Sequence, residues 1–237
     1  MRLDKFLTVT GTASRSEAAK AVRRGGVLVD GRAASSPAMQ IDPDKCIVEY
    51  NGERVVYRQY TYIMLNKPQG VVSATDDGRD RTVLDLLPDK LQRLHLFPCG
   101  RLDKNTVGLM LLTDNGELSH RLLAPKSHVA KSYRFEAERV ISDEDKMALE
   151  AGVYIAGGYL TKPARVELDE DRRYGVITIT EGKYHQIKQM LEAVDNKILY
   201  LGRITFGPLV LDKALAEGEW RFLTDAEIEA LESNGRN

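Results

Sequence analysis

Gly100-Arg101-Leu102-Asp103-Lys104-Asn105-Thr106-Val107-Gly108-Leu109-Met110-Leu111-Leu112 is a polar turn that runs straight into an apolar strand. One carboxylate, Asp103, sits in the turn between two cations, Arg101 and Lys104. Upstream, Leu94 to Phe97 reads as a strand that leads through Pro98-Cys99-Gly100 into the turn. Downstream, Gly108 to Thr113 is a strand, and Asp114-Asn115-Gly116 turns the chain into a helix that Pro125 halts.

The same rules extend over residues 60–237. Tyr60 to Leu65 is a strand that ends in the Pro- and Gly-marked turn Asn66-Lys67-Pro68-Gln69-Gly70. A short helix over Thr82–Leu87 and strands over Lys131–Glu138, Thr161–Leu168, Tyr174–Thr180 and Ile198–Phe206 follow. Ser142 and Thr224 cap two further helices, the second carrying Ile228 and Leu231. Strands outnumber helices and short turns join many of them, which predicts an α+β body: a mainly antiparallel sheet flanked by helices. Ile187, Met190, Leu191 and Val194 recur at i, i+3, i+4 and i+7, a buried helical stripe. Lys188 lies ~60° from Leu191 around that helix, at the edge of its buried face. It reaches either into a cleft or, with its stem snorkelling, into solvent.

Residues 1–59 read as a separate head. Leu3, Phe6 and Leu7 share one face of a short helix. Ser14-Arg15-Ser16-Glu17 is a capping box that opens a second helix, and Gly25-Gly26 closes it. Val27-Leu28-Val29 then meets the hairpin signal Asp30-Gly31. Residues 1–58 hold ten basic against seven acidic side chains, net +3, whereas the remainder holds 24 against 28, net −4. The basic residues Arg2, Lys5, Arg15, Lys20, Arg23, Arg24 and Arg32 crowd the two helices and the hairpin. Such a run is either a solvated face or a phosphate-contacting surface. The domain boundary is expected near residue 59, inside the polar stretch Asn51–Gln59.

Composition narrows the class. A hydrophobic fraction of 43% and a charged fraction of 29% are those of an ordinary globular protein. Two distant cysteines, Cys46 and Cys99, read as free thiols in a reducing cytoplasm. The charged N-terminus lacks a signal-peptide pattern, and no run approaches the ~20 apolar residues of a membrane span. No zinc, iron, P-loop, dinucleotide or G-x-S-x-G pattern occurs, so neither metal nor cofactor is expected. The best candidate for chemistry is then a carboxylate, Asp103, although an Asp in such a turn is also an ordinary turn former. His120, His128 and His185 lie near cations and read either as surface or packing residues or as phosphate contacts, and His95 as packed in its strand.

Four ordered motifs go further: Asn66-Lys67-Pro68-Gln69-Gly70; Gly100-Arg101-Leu102-Asp103 with Thr106 and Gly108-Leu109; Lys131-Ser132-Tyr133; and Glu181-Gly182-Lys183-Tyr184-His185-Gln186-Ile187-Lys188. In this order, behind a head that resembles the S4 RNA-binding domain, they resemble the RsuA-type pseudouridine synthases. Ser73-Ala74-Thr75-Asp76-Asp77, Ser119-His120-Arg121, Leu160-Thr161-Lys162-Pro163-Ala164 and Tyr184-His185-Gln186 resemble the branch that modifies 16S ribosomal RNA at position 516. The resemblance implies an S4-like domain over 1–59 and a catalytic domain over 60–237. It implies Asp103 as the catalytic residue, Tyr133 against the target base, Lys188 as the charge partner of Asp103, Arg101 on the nucleotide or its loop, and Leu201 packing beside the site. Gln189 departs from the pattern, since many relatives carry Arg there. The implied partner is 16S ribosomal RNA or a small-subunit assembly intermediate; a cytoplasmic monomer is expected.

These residue types suit the chemistry. Extruding a uridine from structured RNA costs a few kcal/mol, and stacking on an aromatic face such as Tyr133 returns roughly 1–3 kcal/mol. A cation beside Asp103 favours its ionised form. Three rivals remain: the same chemistry on a 23S site, a non-catalytic ribosome assembly factor, and a carboxylate-pair glycosidase with Asp114 or Asp212 as the second acid.

Overall fold

In the computed structural model, which describes residues 1–234, the Ser14 signal becomes a full capping box. Ser14 Oγ accepts from the Glu17 N–H at 3.3 Å, and Glu17 Oε2 accepts from the Ser14 N–H at 2.7 Å. The box starts the helix Arg15–Arg23, which follows the helix Leu3–Val9. Leu3, Phe6, Leu7, Ala18 and Val22 are buried from these helices onto Val27, Val29 and Val48. Each fully buried Leu or Phe side chain contributes ~1.5–3 kcal/mol. The small sheet runs Arg32–Ala33, Val27–Val29, Val48–Tyr50, Glu53–Val55, with every pairing antiparallel. Three residues of the expected linker, Glu53–Val55, are therefore a strand.

Two compact units result. The first comprises Met1–Thr61 and Leu87–Leu96, and the second Tyr62–Leu86 and the chain from Phe97 onward. The return of residues 87–96 to the first unit has no local sequence signal. It is fixed by tertiary contacts such as Arg93 Nη1 to Glu17 Oε2, 2.9 Å. His95, expected in a strand, is exposed and outside any strand. The residues around it form the short helix Asp89–Gln92, and the strand begins only at Phe97.

The second unit is built on a nine-stranded sheet. Its order is Arg165–Leu168, Tyr174–Ile179, Lys131–Ala137, Ile198–Phe206, Val107–Thr113, Tyr62–Lys67, Trp220–Phe222, with two short strands beside this path. Every pairing is antiparallel except Ile198–Phe206 with Val107–Thr113. All seven residues of Val107–Thr113 are buried, which explains its unbroken apolar run. The hairpin Tyr154–Ile155 with Tyr159–Leu160 was not expected, and the strand predicted from Thr161 starts at Arg165. No helix among the described residues is long and apolar enough to cross a membrane.

Gly108 shows how tightly the central strands close on the turn before them. Its φ is +99°, and a Cβ there would stand 2.3 Å from the Arg203 carbonyl oxygen. Backbone atoms cannot yield as a side-chain end can. Gly108→Ala is expected to destabilise the protein by about 3 kcal/mol or more, read as a lowered urea midpoint; an unchanged midpoint would contradict this packing.

Candidate active site

The Asp103 turn is anchored by two of the motifs quoted above. Lys67, fully buried, ends the strand Tyr62–Lys67, and its Nζ donates to the carbonyls of Thr106 at 2.9 Å and Pro68 at 3.0 Å. Gly70 N–H donates to the Lys104 carbonyl at 2.9 Å. The Ser73 hydroxyl donates to the Leu102 carbonyl at 2.8 Å and accepts from the Leu102 N–H at 3.0 Å. Lys104 leaves the turn outward, to Asp80 at 2.6 Å. Asp103 is thus the side chain of a turn whose backbone is held from both sides.

Its carboxylate meets two nitrogen groups from one segment, an ammonium and an imidazole. Lys188 Nζ donates to Oδ2 at 2.8 Å, and His185 Nε2 lies 3.5 Å from Oδ1. Lys188 belongs to the helix Gln186–Glu192, whose Ile187, Met190 and Leu191 are buried. The stripe expected from periodicity therefore turns Lys188 into the cleft rather than to solvent. His185 precedes the helix in a left-handed conformation, φ 48°. Its contact with Asp103 replaces the surface or packing role expected of it.

The cleft has a volume of about 690 Å³, and Asp103, Arg101, Tyr133, Lys188 and Leu201 all line it. Tyr133 and Leu201 are buried in facing strands, and Arg101 is exposed at the edge. Two further cations, Arg203 and Lys131, line the same cleft. Arg203 is 1% exposed and donates through Nε to the Leu109 carbonyl at 2.7 Å. Of the other carboxylates, Glu181 is occupied: it accepts from the Tyr159 hydroxyl at 2.6 Å, the Lys162 N–H at 2.9 Å and the Gln186 amide at 2.8 Å. Asp212 pairs with Arg221 at 2.7 Å, and neither it nor Asp114 lines the cleft. The second acid of a carboxylate pair is therefore not supplied by either expected candidate. Among the described residues no group of three or more His, Cys, Asp or Glu side chains is placed to hold a metal ion.

The basic residues of the head are all exposed. Arg2 is held by Asp4 at 2.7 and 3.0 Å, and Arg23 Nε donates to the Ala19 carbonyl at 3.2 Å. Lys5, Arg15, Lys20, Arg24 and Arg32 complete the exposed set.

Burial leaves a titration signature. It pushes the Lys67 ammonium down to about 8, opposed by the Asp103 carboxylate, and pushes Lys131 down to about 8, aided by repulsion from Arg203. Both folded values lie below the ordinary 10.5. Between about pH 8 and 10.5 the unfolded chain binds more protons, so stability rises with pH across that window and the burial cost is fully present below it. Urea midpoints are expected to increase from about pH 7.5 to 9.5, less so in Lys131→Met. Midpoints that fall over this range in both proteins would contradict the assignment.

A family model described as RNA pseudouridylate synthase matches residues 61–193, more than half of the chain. The chain belongs to that family. The synthase also matches the S4 domain model over residues 1–45. It is 50% identical over 234 residues to the uncharacterized RNA pseudouridine synthase YtzG of Bacillus subtilis (strain 168), covering 98% of both chains. It is 40% identical over 234 residues to ribosomal small subunit pseudouridine synthase A of Haemophilus influenzae, covering 98% of this chain and 99% of the relative. A crystal structure of pseudouridylate synthase superposes with a TM-score of 0.69 at 38% identity, covering 98% and 99% of the two chains. The α+β fold, with an S4 head and a synthase body, is that of this family.

Lys67, His185 and Arg203 are the site residues that local sequence reading passes over. Their signal is weak because each depends on a partner far away in the chain. Gln189, the departure from the motif, also has a structural reason. Its Oε1 accepts from the Ala156 N–H at 2.8 Å, and its Nε2 donates to the Tyr184 carbonyl at 2.5 Å. An Arg has no acceptor and cannot make the first of these bonds.

Proposed function

We propose that the synthase isomerises one uridine of small-subunit ribosomal RNA, position 516 of 16S RNA, to pseudouridine. The observation that carries the chemistry is the Asp103 carboxylate held 2.8 Å from Lys188 Nζ in a cleft also lined by Tyr133. The extruded nucleotide enters with its base against Tyr133 and Leu201 and its sugar toward Asp103, while Arg101 takes a phosphate at the edge. Asp103, held by Lys188, assists cleavage of N1–C1′. The uracil turns within the cleft, C5 bonds to C1′, the C5 proton leaves and N1 ends protonated. No atom is gained or lost overall. The buried Arg203 and the half-buried Lys131 favour negative charge on the detached uracil, as preorganised charges aimed at a site do.

We assign residues 1–59 to RNA attachment, through Arg2, Lys5, Arg15, Lys20, Arg23, Arg24 and Arg32, and residues 60–237 to catalysis. The protein works in the cytoplasm as a monomer on ribosomal RNA or an assembly intermediate. The ribosomal target follows from the name of the Haemophilus influenzae relative and from the motifs Tyr184-His185-Gln186 and Leu160-Thr161-Lys162-Pro163-Ala164. The test is tritium release from C5-tritiated ribosomal RNA. Release from small-subunit but not large-subunit RNA or particles is expected; release from large-subunit RNA alone would overturn the substrate assignment.

A further inference from the structure

Tyr184 stands out among the residues that line the cleft. It is 72% exposed, the most exposed aromatic side chain recorded among the large apolar residues of the described chain. An aromatic ring in water forgoes the burial that normally fixes it. Tyr184 is nevertheless ordered in a stack: its ring lies 3.8 Å from that of His185, with 19° between the planes. His185 in turn reaches Asp103 at 3.5 Å. The stack therefore starts at the reactive carboxylate and ends on an open tyrosine face.

The backbone is shaped to hold this arrangement. The residue behind the tyrosine, His185, has the left-handed φ of 48°, which a non-glycine residue adopts at a cost. Gln189 fixes the Tyr184 carbonyl from within the following helix and ties it to Ala156 on the neighbouring hairpin. Cations flank the same edge. Lys183 Nζ lies 4.2 Å from the centre of the Tyr159 ring, and Lys162 Nζ contacts His128 Nδ1 at 2.9 Å, neither of them paired with a carboxylate in a salt bridge among the described residues. An open π-face beside ammonium groups is the combination that takes single-stranded nucleic acid: a base on the ring and phosphate on the lysines.

We propose that the outer face of Tyr184 is a stacking seat for an unpaired RNA base adjacent to the extruded uridine. This rests on the reading of Asp103 as the reactive group and RNA as the substrate. It assigns a second base position that Tyr133, buried inside the cleft, does not fill. When the uridine leaves its stack, its former neighbour loses one stacking partner, and the Tyr184 ring replaces it. His185 acts as a positioning residue, backing the ring while touching Asp103.

The test uses the full chain and small-subunit RNA or particles, with single-turnover tritium release measured as a function of protein concentration. Tyr184→Ala is expected to raise the half-saturating concentration about 10- to 100-fold and to change the saturating rate far less. Tyr184→Phe and Tyr184→Trp should restore binding, whereas Tyr184→Leu, apolar but without a π-face, should not. The exposed position makes these variants neutral for folding. The second readout is 2-aminopurine placed beside the target uridine, whose fluorescence should be quenched by wild-type protein and by Asp103→Asn but not by Tyr184→Ala. Equal half-saturation for wild type and Tyr184→Ala, or Leu performing as well as Phe, would overturn the proposal. A wild-type protein that quenches but releases no tritium would support the seat and refute the proposed reaction.

Discussion

Asp103→Asn is expected to reduce tritium release from small-subunit ribosomal RNA by about 10⁴-fold or more, the range in which loss of a directly reacting residue falls. Asn keeps the volume and the turn-forming capacity of Asp, so the backbone bonds that pin the turn, from Lys67, Gly70 and Ser73, survive. It loses the negative charge that Lys188 and His185 face at 2.8 and 3.5 Å. The loss should therefore appear in the chemical step, with RNA affinity within a few-fold of wild type. An active Asp103→Asn protein would reject Asp103 as the reactive group.

Lys188→Met carries the second large effect. It keeps most of the aliphatic stem at the edge of the helix and removes the ammonium that donates to Asp103 Oδ2. Removing a preorganised charged donor from such a site costs ~10²–10³-fold in rate. We expect about 100-fold at saturating RNA, less than for Asp103→Asn, because His185 still orients the carboxylate from its other oxygen. Lys188→Arg should recover part of the rate, since it restores the charge but not the point contact of an ammonium. The diagnostic is the division of the effect. A merely structural Lys188 would lower the urea midpoint and leave the saturating rate intact, the opposite pattern.

The comparison of these two residues shows what local sequence can carry. Lys188 was legible in part: the 3.6-residue period of Ile187, Met190 and Leu191 places it at the edge of the buried face but leaves cleft and solvent open, and the ordered motifs chose the cleft. Asp103 was legible as a candidate only, because a carboxylate in a turn has an ordinary local use; the ordered motifs singled it out. His185 was read on the same flank as Lys188 but given a surface or packing role, because it lies one residue before the helix with a positive φ that no periodicity encodes. Lys67 and Arg203 were missed for a different reason. Lys67 reads as part of a Pro- and Gly-marked turn, and Arg203 as a charge in a strand, where alternation suggests an exposed face. Their burial follows from long-range pairing, Lys67 opposite Gly108 and Arg203 opposite both Gly108 and Tyr133.

The fold divides similarly. The sheet-with-helices architecture and most long strands follow from apolar patterning and turn residues. The hairpin Tyr154–Leu160 did not, because its two-residue strands leave Tyr154 and Leu160 exposed and bury little that a pattern would reveal. The strand Glu53–Val55 was concealed by its charge, and its pairing with Val48–Tyr50 is what recruits it. Residues 87–96 join the first unit through contacts distant in sequence, beyond the reach of any local rule.

The central claim is that Asp103 converts one uridine of small-subunit ribosomal RNA to pseudouridine. Carbodiimide-dependent reverse-transcription stops, mapped across both ribosomal RNAs after incubation with wild-type protein and with Asp103→Asn, test it most directly. The account predicts a single new stop in 16S RNA, at position 516, with wild-type protein and none with Asp103→Asn. Stops confined to 23S RNA, or the same stop with both proteins, would contradict it.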